Sequence, residues 1–384
     1  MNHNDPWFDT PIDRRQSDSL KWVKYSDRDI MPMWVADMDF RSPDAVIAIL
    51  RQRAEHGVFG YAIRPDNLNS VAAEWIYRQH DWRIQDDWIV WLPGLVCGLN
   101  AACRGLTGEE EQIVSFTPIY PPFLSAPEYS QRQLIRCPLT HHNGRYEMDI
   151  DRFADTITEK TTLLLLCSPH NPTGRVWDRQ ELESIIDVCL KHHIVICSDE
   201  IHCDLVLDES RRHIPTASFS EAAANNIITL MAASKTFNVA GLSCAMAIIP
   251  NPQLRHRFRK ATFGIVPHVN AIGYLATLAS FGEGHDWHQR LIAYLRHNRD
   301  MLCQGIAETG CLNMDTPEAT YLGWMDTRPL GLERPVEFFE QAGVGLSDGA
   351  EFDGRGFLRI NYGCTQSTLQ EAIRRIQKAI EDYK

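Results

Sequence analysis

The sequence predicts an α/β protein: a mainly parallel central sheet with helices on both faces, joined to a smaller α+β domain. Three observations carry this expectation. Short apolar runs recur at residues 112–116, 162–167, 194–197, 227–231 and 245–249. Each is of strand length and lacks polar alternation, as in strands covered on both faces. Helical periodicity lies between several of them, most clearly over 179–193, where Leu182, Ile185, Ile186, Cys189 and Leu190 share one face. Such strand–helix–strand repetition builds a parallel sheet. Finally, 384 residues exceed the usual size of a single core, so two domains are expected.

The elements follow in order. Residues 1–56 form an N-terminal segment assigned to the small domain. Within it Ser42-Pro43 opens a helix, serine as N-cap and proline at the first helical position, and Gly57 closes it. Residues 57–284 make the large domain that holds the sheet. Residues 285–384 return to the small domain, with long helical stretches from Trp287, a β-rich patch (319–325 and 357–361) and a last helix over 367–383.

Composition excludes several function classes. The net charge of −12 argues against nucleic acid as a partner, because phosphate backbones require a basic surface. The 11 cysteines are scattered without a CxxC pair. Cys167, Cys189 and Cys197 sit inside apolar runs, where they read as small hydrophobes. A disulfide framework or zinc site is therefore not expected, and a reducing compartment is. The N-terminal residues lack a basic stretch followed by an apolar core, and no run reaches membrane-spanning length, so a cytoplasmic location is expected. The pairs His141-His142 and His192-His193 lack metal-ligand company and are expected at helix ends or in loops; no metal site is predicted. Trp75, Trp82, Trp88 and Trp91 are expected to serve packing.

The chemistry is expected after the apolar runs. Lys235, in Ala233-Ser234-Lys235-Thr236-Phe237-Asn238, follows run 227–231. An ammonium carried into a pocket loses pKa and becomes a nucleophilic amine able to form a Schiff base with an aldehyde cofactor. Asp199 ends the run 194–198, where open α/β sheets bind ligands; a helix N-cap would use the same residue equally well. Ser168-Pro169-His170-Asn171-Pro172-Thr173-Gly174 is a stiff turn that aims Asn171 over the strand ends. Gly94, in Pro93-Gly94-Leu95-Val96-Cys97-Gly98, precedes a helix whose free N–H groups suit an anion. Tyr120 lies in a proline-stiffened loop. Arg359, among strand formers at Gly356-Phe357-Leu358-Arg359-Ile360-Asn361, could fork onto a carboxylate.

In this order the motifs resemble the fold-type I pyridoxal-phosphate enzymes, those with the aspartate aminotransferase fold. Within them the chain is most similar to the cystathionine β-lyase, or C–S lyase, group (MalY- and PatB-like). The resemblance rests on Met31 to Phe40, Phe59-Gly60-Tyr61, Phe116 to Phe123, Ser168 to Val176, Asp199-Glu200-Ile201-His202, Ser234 to Leu242 and Arg359-Ile360-Asn361. It implies pyridoxal 5'-phosphate as cofactor, bound covalently by Lys235, which also removes the substrate's Cα proton. Asp199 would pair with the ring nitrogen, Asn171 with the ring oxygen, and Tyr120 would stack on the ring. The backbone at Gly94, Leu95 and Val96 would hold the phosphate. His202 and Ser234 complete the implied cofactor contacts. Arg359 would bind the substrate carboxylate, with Ala36 and Tyr61 beside the substrate. Tyr61 would reach phosphate and substrate from a neighbouring subunit, which makes a homodimer part of the expectation.

Two positions depart from the aminotransferase pattern. His202 stands where tyrosine is usual, and Ser243 where a phosphate-binding arginine is usual. Ala232 also replaces a common phosphate-binding serine, so neutral donors must carry more of the phosphate. The implied reaction is β-elimination on a sulfur-containing amino acid, cystathionine or cysteine, giving pyruvate, ammonia and a thiol. A class I/II aminotransferase is the alternative. A protein-binding regulator of a transcriptional activator, with or without lyase activity, is an alternative of a different kind.

Overall fold

The structure is a computed structural model that describes residues 5–383. Its main sheet contains β1 (Ile89–Leu92), β2 (Gln112–Thr117), β3 (Gln133–Pro138), β4 (Thr161–Cys167), β5 (Val195–Asp199), β6 (Ile227–Met231) and β7 (Ala245–Ile248). They lie in the order β1-β7-β6-β5-β4-β2-β3. All run parallel except β7, which is antiparallel to both β1 and β6.

Each predicted apolar run is a strand, and β6 matches residue for residue. β1 and β3 were not expected. β3 is the edge strand with only Cys137 buried, so it lacks the continuous apolar run that marks an interior strand. β1 sits in a tryptophan-rich stretch whose periodicity is too short to read.

The two-residue strand period splits the sheet's side chains between two cores. Leu163, Leu165 and Cys167 face one core with Leu99, Phe123 and Phe258. These last come from α3 (Leu95–Leu106), α4 (Pro121–Tyr129) and α6 (Pro252–Thr262), which follow α1 (Asp44–His56) and α2 (Leu68–His80) in the chain. Leu164 and Leu166 face the other core with Leu182, Ile185 and Ile186 of α5 (Arg179–Lys191). The predicted two-faced sheet is therefore present.

α5 starts at a capping box. Asp178 accepts from the Glu181 N–H at 3.0 Å, and Glu181 accepts from the Asp178 N–H at 2.8 Å. α1 starts otherwise than predicted. It begins at Asp44 after Pro43, and Ser42 gives no cap; its hydroxyl donates to the Asn238 carbonyl, 3.1 Å away. Gly57 does end α1, at φ +74°, a conformation that only glycine adopts without strain.

The second sheet is antiparallel: β8 (Asn313–Met314), β9 (Leu322–Asp326), β10 (Ser347–Asp348) and β11 (Phe357–Asn361), in the order β8-β9-β11-β10. After α7 (Ala271–Glu283), helices α8 (His285–Ala307) and α9 (Gln366–Tyr383) pack together beside it. Met31–Pro32 pairs in parallel with Val344–Gly345, which ties the N-terminal segment to this part of the chain.

His141 and His142 lie in a hairpin strand, Thr140–His142, rather than on a helix end or loop, and His141 pairs with Asp315 at 2.7 Å. Trp75 packs as predicted, against Phe237 and Phe281, with its indole N–H donating to Asp204 at 3.0 Å.

The capping box gives a direct check on α5. Asp178→Ala should cost about 1 kcal/mol, read as a lower urea midpoint with an unchanged slope.

Candidate active site

The parallel strands end at one edge of the sheet and deliver a row of side chains there. Gly94 follows β1, Tyr120 follows β2, and the turn bearing Asn171 follows β4. Asp199 is the last residue of β5, and Ser234-Lys235 follows β6. β7 runs the other way, so its entrance, Ser243-Cys244, meets the same edge.

A cavity of about 150 Å³, partly open to solvent, lies along this row. It is lined by Ala36, Gly94, Leu95, Val96, Tyr120, Asn171, Asp199, His202, Ser234 and Lys235. Two predicted residues are not on its wall. Arg359 stands one contact behind it, and Tyr61 is fully exposed on a separate arm. Sequence reasoning missed the lining residues Cys167, Ile201, Ala240 and Cys244. Ser243 was visible only as a departure, and the cavity gives it a place.

Lys235 Nζ donates to the Ala36 carbonyl at 2.7 Å. Burial, helped by Arg359, lowers its pKa to about 8, against the pull of Asp37 and Asp199. Asp199 is enclosed, and burial lifts its pKa to about 7 although the Ile201 N–H donates to it at 3.1 Å. His202 is buried, its Nδ1 has no hydrogen-bond partner, and burial with two nearby cations drops its pKa to about 3. It is a neutral imidazole.

Arg359 projects from β11 into the enclosed space between the sheets. Its guanidinium donates to Asn171 Oδ1 at 3.1 Å, the Trp34 carbonyl at 2.9 Å and Ser347 Oγ at 3.4 Å. Its Nε is buried without a partner, and burial brings its pKa down to about 10. Among the described residues no carboxylate pairs with it. An enclosed cation with an idle N–H is costly unless an anion completes it.

Ala36 lines the cavity as part of a wall of carbonyls in residues 34–40, most of which face other protein groups. Trp34 O faces Arg359 and Ser347, Ala36 O faces Lys235 and Tyr321, and Asp37 O faces Lys21 and Asn361. Asn238, at φ +55°, donates to Met38 O and Phe40 O and accepts from the Met38 N–H. Lys21 is buried against Asp39 at 2.7 Å, and Arg14 bridges Asp37 and Asp39. Nothing in the local sequence marks Lys21, Tyr321 or Asn238 for this wall, because their partners are far away along the chain.

Behind the row lies a second polar layer. Glu200 accepts from Ser198, the Thr216 N–H and His213, and His213 with Thr216 holds its pKa down despite burial. His80, Cys203 and Asp204 cluster within 4.8 Å. The Asp204 oxygens already take donors from His80, Trp75 and Thr236, so the cluster is satisfied by hydrogen bonds.

The groups left open suit pyridoxal 5'-phosphate. A carboxylate of raised pKa fits a ring N–H, and an amine of lowered pKa fits an aldehyde. Asn171, whose Oδ1 is taken by Arg359, keeps an N–H₂ for a ring oxygen. The α3 start, where Gly94 brings no side-chain acceptor, offers N–H groups to a phosphate together with Ser234 and Ser243.

The model of the family described as aminotransferase class I and II matches residues 28–376. The chain belongs to this family. Cystathionine beta-lyase PatB of Bacillus subtilis is 35% identical, over 97% of this chain and 99% of that protein. Among solved structures, OvoB is 47% identical with a TM-score of 0.95, covering 97% of this chain and 98% of its own. Cystalysin from Treponema denticola, which contains a pyridoxal 5'-phosphate cofactor, is 33% identical with a TM-score of 0.94, covering 98% and 99%.

The charge on Asp199 can be read through stability. Its pKa rises from 3.8 unfolded to about 7 folded, so its contribution is full below pH 3.8 and is lost as pH climbs through about 7. Asp199→Asn has no such loss. The melting temperature of the cofactor-free variant should therefore gain on wild type between about pH 4 and about pH 7. If the bound cofactor gives Asp199 a cationic partner, the loaded variant should instead melt lower.

Proposed function

We propose that this chain catalyses β-elimination on sulfur-containing amino acids, with pyridoxal 5'-phosphate as cofactor, releasing a thiol, pyruvate and ammonia. The observation that carries the proposal is a set of three ionisable groups without ion-pair partners: half-buried Lys235 and buried Asp199 on one cavity wall, and buried Arg359 one contact behind it. Relatives named cystathionine beta-lyase, in Bacillus subtilis and Corynebacterium glutamicum, support the substrate class. A PLP-bound C-S lyase from Staphylococcus hominis, 30% identical with a TM-score of 0.90, supports the reaction.

When bound, the cofactor supplies an electron sink adjacent to the substrate's Cα. The protein's part is positional and electrostatic. Lys235 would be the amine for the cofactor aldehyde and also the base for the Cα proton; its lowered pKa gives a useful fraction of neutral amine near pH 8. Asp199 would keep the ring nitrogen protonated, Asn171 and the neutral His202 would hold the ring oxygen, and Tyr120 would lie against the ring. Gly94, Leu95, Val96 and Ser234 would hold the phosphate. Arg359 exchanges the Trp34 carbonyl for the substrate carboxylate, and Ala36 borders the substrate. The Cα–H and Cβ–S bonds break, the thiolate leaves with the electron pair, and the released aminoacrylate hydrolyses.

An exposed apolar strip at Val58, Phe59, Tyr61 and Ile63 supports a homodimer in which Tyr61 reaches the other copy's cavity. Residues 57–284 act as the large domain and residues 1–56 with 285–384 as the small one. The unpaired cysteines support a cytoplasmic setting.

Purified protein given cystathionine should release pyruvate continuously without any 2-oxo acid. Release only after an oxo acid is added would indicate transamination instead. Lys235→Ala should abolish release. Arg359→Lys should raise KM about 10- to 100-fold with a smaller effect on kcat, since it removes the fork that binds the carboxylate.

A further inference from the structure

Lys235 Nζ donates to the Ala36 carbonyl at 2.7 Å, so the course of residues 34–39 decides where the amine rests and how much water reaches it. Asn361 holds this stretch from the inner side, donating to the Val35 and Asp37 carbonyls. The outer side is held by residues 14–22, which precede it in the chain.

Lys21 makes the central contacts of that outer hold. It is 1% exposed, and a lysine is rarely so buried unless it is paired. Its own carbonyl accepts the Trp34 indole N–H at 3.0 Å. Its ammonium donates to the Asp37 carbonyl at 3.3 Å and to an Asp39 carboxylate oxygen at 2.7 Å. One residue therefore grips the stretch on both sides of Ala36, by its backbone before it and by its side chain after it. Asp39 is the anchor. Its other oxygen accepts from Arg14 at 2.7 Å and from the Trp22 indole N–H at 3.0 Å. Arg14 also reaches the Asp37 carboxylate at 3.0 Å and the Met38 carbonyl at 3.2 Å. Burial would push the Asp39 carboxyl up, yet Lys21, Trp22 and Arg14 hold it below its ordinary value. A buried ion pair can often be replaced whole by apolar side chains without loss of stability. What an apolar side chain cannot do is donate to the Asp37 carbonyl, one residue from the acceptor of Lys235.

We propose that Lys21, supported by Arg14, is a positioning residue of the active site: it clamps residues 34–39 from outside and so holds the Ala36 carbonyl against the Lys235 amine. The inference rests on the functional reading above for the task of Lys235, and on the contacts alone for the clamp. With the clamp closed the amine is kept short of water; with it open the amine is solvated and loses its reactivity near neutral pH.

The test titrates Lys235 in cofactor-free protein, as the pH dependence of its labelling by trace acetic anhydride, located by peptide mass spectrometry. The wild-type midpoint is expected at about 8. Lys21→Met should move it up toward the 10.5 of a solvated lysine. Arg14→Gln should move it the same way by less, because it weakens the anchor and also frees the Asp37 charge that favours the ammonium. Arg359, Asp37, Asp199 and the neutral His202, which face Lys235, are kept in both variants. Arg14 is partly exposed, so its variant carries the test should Lys21→Met fail to fold. Asp178→Ala, which weakens a distant helix cap, should lower stability and leave the midpoint in place. A midpoint unmoved in both clamp variants, or moved equally in Asp178→Ala, would overturn the proposal. Wild-type protein that takes up no pyridoxal 5'-phosphate, while the midpoints shift as described, would instead overturn the functional reading and leave the clamp standing.

Discussion

The 2.7 Å contact between Lys235 Nζ and the Ala36 carbonyl holds an amine in a place where water cannot fully solvate it. Burial lowers its pKa toward neutrality, and burial raises that of Asp199 by the same principle. Neither is relieved by forming an ion pair with the other. Arg359 extends the pattern, since its nearest acceptors are a carbonyl, an amide oxygen and a hydroxyl. A fold that keeps three such groups enclosed gives up stability. It does so because the sheet edge, the carbonyl wall and the second sheet together leave these groups no charged partner of their own.

The sheet was legible where burial on both faces makes continuous apolar runs, as for β4 and β6. It was illegible at β3, whose exposure as an edge strand removes that signal. The site residues at strand ends were legible because such a position is a local property: Asp199 ends a strand, and Asn171 and Lys235 follow one, while Gly94 was read from the helix it precedes. Arg359 was readable as an arginine among strand formers, although its idle Nε is a fact of packing alone. Tyr321, Lys21 and Asn238 could not be read, since each acts on residues 36–40 across a long chain separation. Ser42 shows the converse error: a good N-cap residue beside a proline was drawn into a tertiary hydrogen bond instead.

The layer behind the site explains why the two functional turns keep their relation. Asp204 accepts from Thr236, the neighbour of Lys235, and from Trp75 and His80 of α2, while its carbonyl accepts from His288 of α8. Glu200, next to Asp199, is fixed by His213, Ser198 and Thr216. The catalytic row thus stands on two buried carboxylates, Asp204 and Glu200, whose oxygens all accept hydrogen bonds, which favours a single arrangement.

The carbonyl wall has one further consequence. Ala36 O has two donors, Lys235 and Tyr321, and its neighbours are held separately by Asn361, Asn238 and Lys21. Tyr321 grips the same oxygen at 2.9 Å, so a ligand that took the lysine would leave that oxygen one donor. The backbone there can surrender one contact without losing its course, so loading the enzyme becomes an exchange of partners at a standing rim and requires no refolding of the segment.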